Sequence, residues 1–440
     1  MSASAPFSGR SLHFVGIGGA GMSGLAQVAR ALGAHVTGSD RAESPYLARL
    51  RAAGIEPVIG HDAGNVPDGA ETVYSTAVGP DNPEPAAGRA RGATELHRGA
   101  LLAQVASLKR CLAVSGTPGK TTTAAMAVRV LRACDMEPAY LIGGELRDTG
   151  TNAEWAEGEW IVVEADESDR SLLQLRPAIA VLTNLELDHH VTYGSRLELE
   201  RTMRAFLDAA RRTVVWNRPE LLRLADRVDA TFDVAAPRLE PGGSRFAWDD
   251  LEVRLAVPGA HNALDAAAAL TAARLAGADP ATAAAALSRF HGVARRFELR
   301  GQTASGSPVY DDYAHHPTEV RAAIEAARSL GPRRVVAAFQ PHLYSRTAAL
   351  WREFGHALAA ADLPVVLDVY RARERPEDHP GVSGRWIAEA TADAAGGRRV
   401  GWFPGLDDAE RFLRRELRGH DVCLTLGAGN VDELAARLVA

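Results

Sequence analysis

Residues 115–123 read Ser-Gly-Thr-Pro-Gly-Lys-Thr-Thr-Thr, a set of types that can cradle a polyphosphate. The apolar stretch Cys111–Val114 precedes them, and a helix-compatible run, Ala124–Arg132, follows. A strand, a glycine loop ending in Gly-Lys-Thr and a helix together turn backbone N–H groups and the positive helix end toward an anion. Lys120 can reach terminal phosphates, and the Thr121 hydroxyl can ligate Mg²⁺. Only two of the 49 basic residues are lysines, Lys109 and Lys120. A lysine kept against such an arginine bias points to a use for its compact ammonium. The loop is shorter than G-x-x-x-x-G-K-[ST], because two residues rather than four separate Gly116 and Gly119. The bland alternative is a chance Gly-Lys-Thr on a surface turn, and the flanking strand and helix weigh against it.

Further chemistry-bearing residues stand at the ends of strand-like runs. Trp160–Asp166 ends in carboxylates, and Ile179–Asn184 leads into Leu185-Glu186-Leu187-Asp188-His189. Ligands gather at the carboxyl ends of parallel strands, so Glu164 and His189 are expected near the phosphate loop as divalent-metal ligands. Mg²⁺ prefers oxygen, which makes His189 the unusual member. The bland alternative is that Asp166, Glu167 and Asp169 form a solvated loop, with His190 merely a neighbour. In the third part of the chain, Val309–Glu319 and Gln340–Thr347 collect His, Tyr, Asp and Arg on loops after strand-like runs. Such residues suit a small zwitterion or a nucleotide. Thr318 is the expected cap of a helix from Val320 to Leu330, with Pro317 setting the approach.

These loops must be held by alternating strands and helices. Residues 12–17 read as a strand, Gly16-Ile17-Gly18-Gly19-Ala20-Gly21 as a tight turn, Met22–Leu32 as a helix, and Ala34–Thr37 as a second strand before Asp40. This βαβ start, with an acidic residue about 20 positions on, places a pyrophosphate at a helix N-terminus and a ribose hydroxyl at Asp40. It does not say whether NAD, FAD or a sugar nucleotide is bound, and a ligand-free turn remains open. Pro80, Pro83 and Pro85 mark a loop. The alanine runs Ala266–Ala269 and Ala283–Ala286 are helix formers. At 440 residues the chain has room for about three domains. Net charge is −6, so there is no basic footprint for nucleic acid. Three scattered cysteines read as free thiols in a reducing compartment. No segment reads as a secretory signal or a membrane helix. A cytoplasmic location is expected.

Taken together, these motifs resemble the Mur ligase family over nearly the whole chain. The match rests on Gly16–Met22, Ser75–Ala77 through Asp81–Glu84, Gly116–Thr123, Glu164–Asp169, Asn184–His189, His261–Ala263, Arg295–Glu298, Asp311–Glu319 and Phe339–Thr347. The family's loop is the shortened Gly-Thr-x-Gly-Lys-Thr form. The resemblance implies an α/β, three-domain Mur ligase architecture. Its parts are a Rossmann-like UDP-sugar domain (1–107), a central P-loop ATPase-like domain (108–294) and a Rossmann-like amino-acid-binding domain (295–440). It further implies an ATP- and Mg²⁺-dependent amide ligase of peptidoglycan precursor synthesis. ATP phosphorylates the lactyl carboxylate of UDP-N-acetylmuramate, and the L-alanine amine attacks the resulting acyl phosphate.

By the family pattern, Lys120, Glu164 and His189 are catalytic, and Thr121, Glu164 and His189 hold metal. Gly116, Thr117, Gly119, Lys120, Thr121, Thr122, Asn262 and Asp312 would bind ATP. Gly18, Gly21, Asp40, His61 and Ser75 would bind the UDP-sugar. Tyr313, His315, His342 and Arg346 would surround the amino acid. A monomer or homodimer is expected.

Three departures stand out. Pro118 replaces a usual His, which removes an N–H donor and fixes φ. Leu343 replaces an Arg found in many relatives, which shifts the amino-acid carboxylate onto Arg346. Ala314 replaces a usual Gly. Several sister ligases use a carbamylated lysine after the Asp-His pair; with no lysine beyond Lys120, the alanine-adding branch is favoured. The alternatives are a recycling ligase that adds a whole peptide, an NAD(P)-dependent oxidoreductase, and a nucleotide-binding regulator without ligase activity.

Overall fold

The computed structural model describes residues 5–440. Three sheets follow one another along the chain. The first is wholly parallel, in spatial order Val58–Ile59, His35–Asp40, Ser11–Val15, Glu71–Tyr74, Glu95–His97. The second has seven strands, ordered Ala230–Phe232, Arg212–Trp216, Ile179–Leu182, Arg110–Ser115, Trp160–Glu164, Ala139–Leu146, Thr151–Glu154. All its pairs are parallel except the last. The third runs Glu298–Gln302, Pro308–Asp312, Asp421–Leu426, Arg334–Phe339, Leu363–Val366, Gly401–Trp402, with only its first pair antiparallel. A small antiparallel sheet, Arg238–Glu240, Gly243–Trp248 and Leu251–Leu255, is appended to the second. Among the described residues no helix is long and apolar enough to cross a membrane.

The period-2 alternation of strand side chains divides the core into layers. In the central strand Arg110–Ser115, Cys111 and Ala113 join one apolar cluster while Leu112 and Val114 join another. The first of these clusters also contains Leu12, Phe14, Leu25 and Leu101, so the N-terminal and central sheets share one apolar seam. The second lies under the helices Lys120–Ala133 and Ala260–Ala276, whose alanines are buried against it. The third sheet has its own two clusters, with Val335, Ala337 and Phe339 on one face and Val336 and Ala338 on the other.

Two local expectations are corrected. Pro83 and Pro85 do not lie in a loop but in the first turn of the helix Pro83–Ala90, where Asn82 caps Glu84 N–H. Proline suits a first turn because its missing N–H is unpaired there anyway. Thr318 is not the cap of the next helix. That helix is Pro317–Ser329, His316 is its cap, and Glu319 reaches back to complete a capping box. An imidazole nitrogen does what the threonine hydroxyl was expected to do. The glycine-turn helix is Ala20–Ala31, and the phosphate-loop helix begins at Lys120 itself, each two to four residues earlier than the sequence suggested.

Candidate functional site: a phosphate loop facing a histidine cluster

The central sheet reverses direction around Arg110–Ser115. The chain first builds strands on one side of it, then crosses to Ile179–Leu182 on the other. The crevice outside the carboxyl ends at such a switch point is where open α/β sheets bind ligands. Here it holds the loop 116–119. Gly116 and Gly119 have φ of +122° and +104°. A Cβ on Gly116 would meet Thr183 Oγ1 at 2.4 Å, and one on Gly119 would meet Asp265 Oδ1 at 2.6 Å. Only glycine permits this close curl of backbone.

Lys120 Nζ donates to Gly116 O at 2.9 Å and to Glu167 Oε1 at 2.7 Å. Thr117 Oγ1 donates to the same Glu167 oxygen at 2.7 Å. Burial alone would lower the lysine pKa, but Glu167, Glu164 and Asp166 outweigh it and hold Lys120 charged. Thr121 Oγ1 donates to Glu164 Oε2 at 2.9 Å, as does Gly143 N–H at 2.7 Å. Among the described residues His189 forms no ion pair with Glu164; it faces Glu167 and Asp188. Its Nε2 is 3.5 Å from Glu167 Oε1 and 3.7 Å from Asp188 Oδ2. Burial opposes its protonation, but these two carboxylates raise its pKa above the ordinary imidazole value. His189 also has a left-handed backbone, φ +54°, a strain of order 1 kcal/mol that packed surroundings must sustain.

Glu167 is the residue that the sequence did not single out. The run Asp166, Glu167, Asp169 is no solvated loop. Glu167 is fully buried, and Asp166 and Asp169 both bond Arg98. One ligand atom from each of Asp166, Glu167 and His189 falls within 4.8 Å of the others. Glu167 Oε2 is buried with no hydrogen-bond partner among the described residues. A bare carboxylate oxygen in an oxygen-rich donor set fits a hard cation such as Mg²⁺.

A cavity of about 170 Å³ adjoins the loop, lined by Pro118, Gly119 and Thr122 from the central sheet and by Arg296, Phe297 and Asp312 from the third. Trp216, His261 and Asn262 complete its wall. Asn262 donates its amide to Pro258 O at 2.6 Å, and Asp312 accepts N–H bonds from Phe297 and Ala314, each at 2.8 Å. Burial pushes Asp312 up to about 6 and Asp265 up to about 8.

The amino-acid candidates converge on the loops of the third sheet. The Tyr313 and His315 rings meet edge to face at 5.3 Å, His315 and His342 lie 6.3 Å apart, and His342 stacks on Tyr370 at 5.9 Å. Arg346 is not held free for a ligand. It is buried and forms a two-pronged pair with Asp188 of the central sheet, 2.8 Å from Nε to Oδ1 and 3.0 Å from Nη2 to Oδ2. Nη1 turns to the histidines, 3.2 Å from His342 Nδ1. Asp188 had no role in the sequence reading. Leu343 carries φ +72° at the start of the helix Tyr344–Leu358.

The glycine-turn residues lie in the first sheet. Gly18 N–H donates to Asp40 Oδ2 at 2.8 Å, so Asp40 fastens the turn it was expected to serve. His61 Nδ1 is 2.9 Å from Ser39 Oγ and 3.3 Å from Glu84 Oε2. Burial would raise the Glu84 carboxyl, but the His13 imidazole 3.5 Å away and hydrogen bonds from Ser39 and Asn65 bring it down to about 2. Ser75 follows the strand Glu71–Tyr74 and accepts from Ala77 N–H at 3.3 Å. Gly21 stands in the helix Ala20–Ala31 beside Arg98.

Comparison with known proteins agrees with this architecture. Residues 11–110 match the Mur ligase family, catalytic domain; 114–273 match the Mur ligase middle domain; and 295–429 match the Mur ligase, glutamate ligase domain. The UDP-N-acetylmuramate--L-alanine ligase of Rubrobacter xylanophilus is 42% identical, over 97% of this chain and 100% of its own length. That of Mycolicibacterium smegmatis is 42% identical, over 98% and 94%. Among solved structures, a UDP-N-acetylmuramate-alanine ligase from Thermotoga maritima superposes with a TM-score of 0.83 at 29% identity, covering 98% of both chains. A murein peptide ligase from Psychrobacter arcticus shares the fold with a TM-score of 0.73 at 24% identity, again over 98% of each. The chain therefore belongs to the Mur ligase family.

Proposed function

We propose that the protein joins L-alanine to the lactyl carboxylate of UDP-N-acetylmuramate, with ATP converted to ADP and phosphate. Its relatives at about 42% identity over nearly full length carry that activity in their names. The observation that carries the chemistry is one adjacency: Asp188 and His189 touch the phosphate-loop machinery on one side and Arg346 of the histidine cluster on the other. A site that activates a carboxylate and then delivers an amine to it needs both within a few ångströms. The recycling of whole peptides and the oxidoreductase reading are not favoured by these relatives.

In this reading Gly116, Thr117, Gly119 and Thr122 wrap ATP phosphates, with Asn262 and Asp312 at the adenosine end. The Lys120 ammonium lies where negative charge is greatest as the phosphoryl group moves to the lactyl carboxylate. Thr121 with Glu164, and His189 with Glu167, are the residues that would hold Mg²⁺. The ion, when bound, would neutralise phosphate charge and let two anions approach. Gly18, Gly21, Asp40, His61 and Ser75 hold the UDP end. Tyr313, His315, His342 and the free edge of Arg346 orient the alanine. We assign the protein to the cytoplasm, where ATP and the nucleotide sugar are found, with domain limits near 107 and 294.

Phosphate release with ATP, UDP-N-acetylmuramate and each amino acid in turn tests this reading. L-Alanine is expected to give the highest kcat/KM. Phosphate release with the tripeptide but not with L-alanine would overturn it.

A further inference from the structure

A second cavity, of about 140 Å³, lies between the first two sheets and shares Glu164 with the phosphate-loop site. Gly21, Leu25 and Leu102 line it from the N-terminal part. Leu141, Gly143, Asn152, Glu164 and Asp166 line it from the central part. Its single cationic wall residue is Arg98, the first residue of the helix Arg98–Ala106. The guanidinium is held from one side only. Nη2 donates to Asp166 Oδ2 at 2.6 Å and to Asp169 Oδ2 at 2.8 Å, and Nε donates to Asp169 Oδ2 at 3.1 Å. Nη1 makes no hydrogen bond among the described residues. It faces Gly21, where an added Cβ would lie 3.5 Å from it. Asn152 Nδ2 ties the same turn down by donating to Ala20 O at 2.8 Å.

The cavity therefore joins the N-terminus of the glycine-turn helix to the carboxylate that faces Thr121. A ligand spanning it has its nucleotide at one end and its reacting group at the other. Glu164 and Asp166 make the cavity hostile to a second anion unless a cation answers it. A guanidinium fixed by two carboxylates on one edge, with the other edge bare, is preorganised to grip an oxyanion at little further entropic cost.

We propose that Arg98 binds an anionic oxygen of the UDP-sugar through Nη1, and so sets where the sugar lies between the nucleotide turn and the phosphate loop. The anion is the diphosphate or the lactyl carboxylate, which offer the same oxygen chemistry. The inference rests on the ligase reading above.

The test is calorimetric titration of UDP, UDP-N-acetylglucosamine and UDP-N-acetylmuramate into the full chain and two variants. Arg98→Lys keeps a cation against Asp166 and Asp169 but removes the Nη1 edge. Asp169→Asn weakens the hold on Arg98 but keeps that edge. Arg98→Lys is expected to weaken UDP-N-acetylmuramate about tenfold or more, with ATP binding unchanged. If UDP and UDP-N-acetylglucosamine weaken equally, the anion is the diphosphate; if they are unaffected, it is the lactyl carboxylate. Asp169→Asn should keep most of the affinity. Unchanged binding of all three ligands by Arg98→Lys would overturn the proposal. So would an equal loss in Asp169→Asn, which would reduce Arg98 to a structural cation. Failure of the unmodified protein to bind UDP-N-acetylmuramate would overturn the ligase reading instead.

Discussion

Asp188 and Arg346 meet edge to edge across the junction of the central and third sheets, both buried, in a pair with two parallel hydrogen bonds. Burial opposes the Asp188 charge, but the guanidinium outweighs it and holds the carboxyl well below its usual range. Removing either partner strands a buried charge, which costs about 3–5 kcal/mol. Arg346→Ala should lower the urea midpoint by a matching amount and raise the KM for L-alanine. A double-mutant cycle with Asp188→Ala should return a coupling of about 2 kcal/mol or more. Additive single effects would mean that the pair does not bind the two sheets together.

Lys120→Ala should lower turnover by roughly 10³-fold, the loss expected for one preorganised donor at a transferring phosphoryl group. Arginine should not restore it. The ammonium sits between Gly116 O and Glu167 Oε1, and a planar fork does not fit that space. Single-turnover phosphate release measures both variants.

Glu164 and Glu167 should separate by their phenotypes. Glu164→Gln weakens the partner of Thr121 and is expected to raise the Mg²⁺ concentration needed for half-maximal activity while UDP-N-acetylmuramate still binds. Glu167→Gln loosens Thr117, Lys120 and His189 together. It should cut kcat about 10²-fold even at saturating Mg²⁺, because small misplacements at a reacting centre cost that much. Mg²⁺ titrations of both variants at fixed ATP distinguish the two roles.

Leu343 offers a gain-of-function test. It is buried one residue from His342, and its left-handed backbone is already tolerated by the helix start. Leu343→Arg should leave phosphate release intact or lower the KM for L-alanine. A several-fold rise in that KM would argue that the pocket needs an apolar wall there.

The histidines set an acid limit. Burial, helped by His315 and Arg346, pushes His342 down to about 3, and burial pushes His261 down to about 4. In the unfolded chain an imidazole titrates near about 6.5. Below that pH the unfolded state binds the extra proton, so this stabilising contribution is complete above about 6.5 and is lost progressively down to the folded values. Asp312 and Asp265, raised by burial, act in the opposite sense. The informative quantity is therefore a difference. Between pH 7.5 and 5 the melting temperature should fall less for His342→Gln than for the unmodified protein.

Much of this site was legible in the chain, and the gaps have a common cause. Gly116–Thr121 could be read because the loop is local: a strand, a turn and a helix supply every atom of it. Glu167 could not, because its job is to accept bonds from residues some fifty positions away, and an acidic run looks the same whether solvated or buried. Arg346 does lie against His342, but its pairing with Asp188 spans 158 positions, and no periodicity reports such a contact. The cap of the helix Pro317–Ser329 was missed by two residues because histidine is not among the usual capping types. The strands were found with ends shifted by up to three residues, as where Ala34–Thr37 became His35–Asp40, because hydrogen bonding rather than hydropathy decides the limit.

The shared hydrocarbon seam between the first two sheets has a consequence for heat capacity. The third sheet contributes no residue to the apolar clusters that the first two build, and it meets the centre through Asp188–Arg346 and through Thr318 donating to Glu186 at 2.5 Å. Exposing apolar surface raises heat capacity, whereas exposing polar surface lowers it. Parting the first two sheets would therefore carry a large positive increment and a steep temperature dependence. Swinging the third away would carry a smaller one, so its opening equilibrium should vary less with temperature than the parting of the first two.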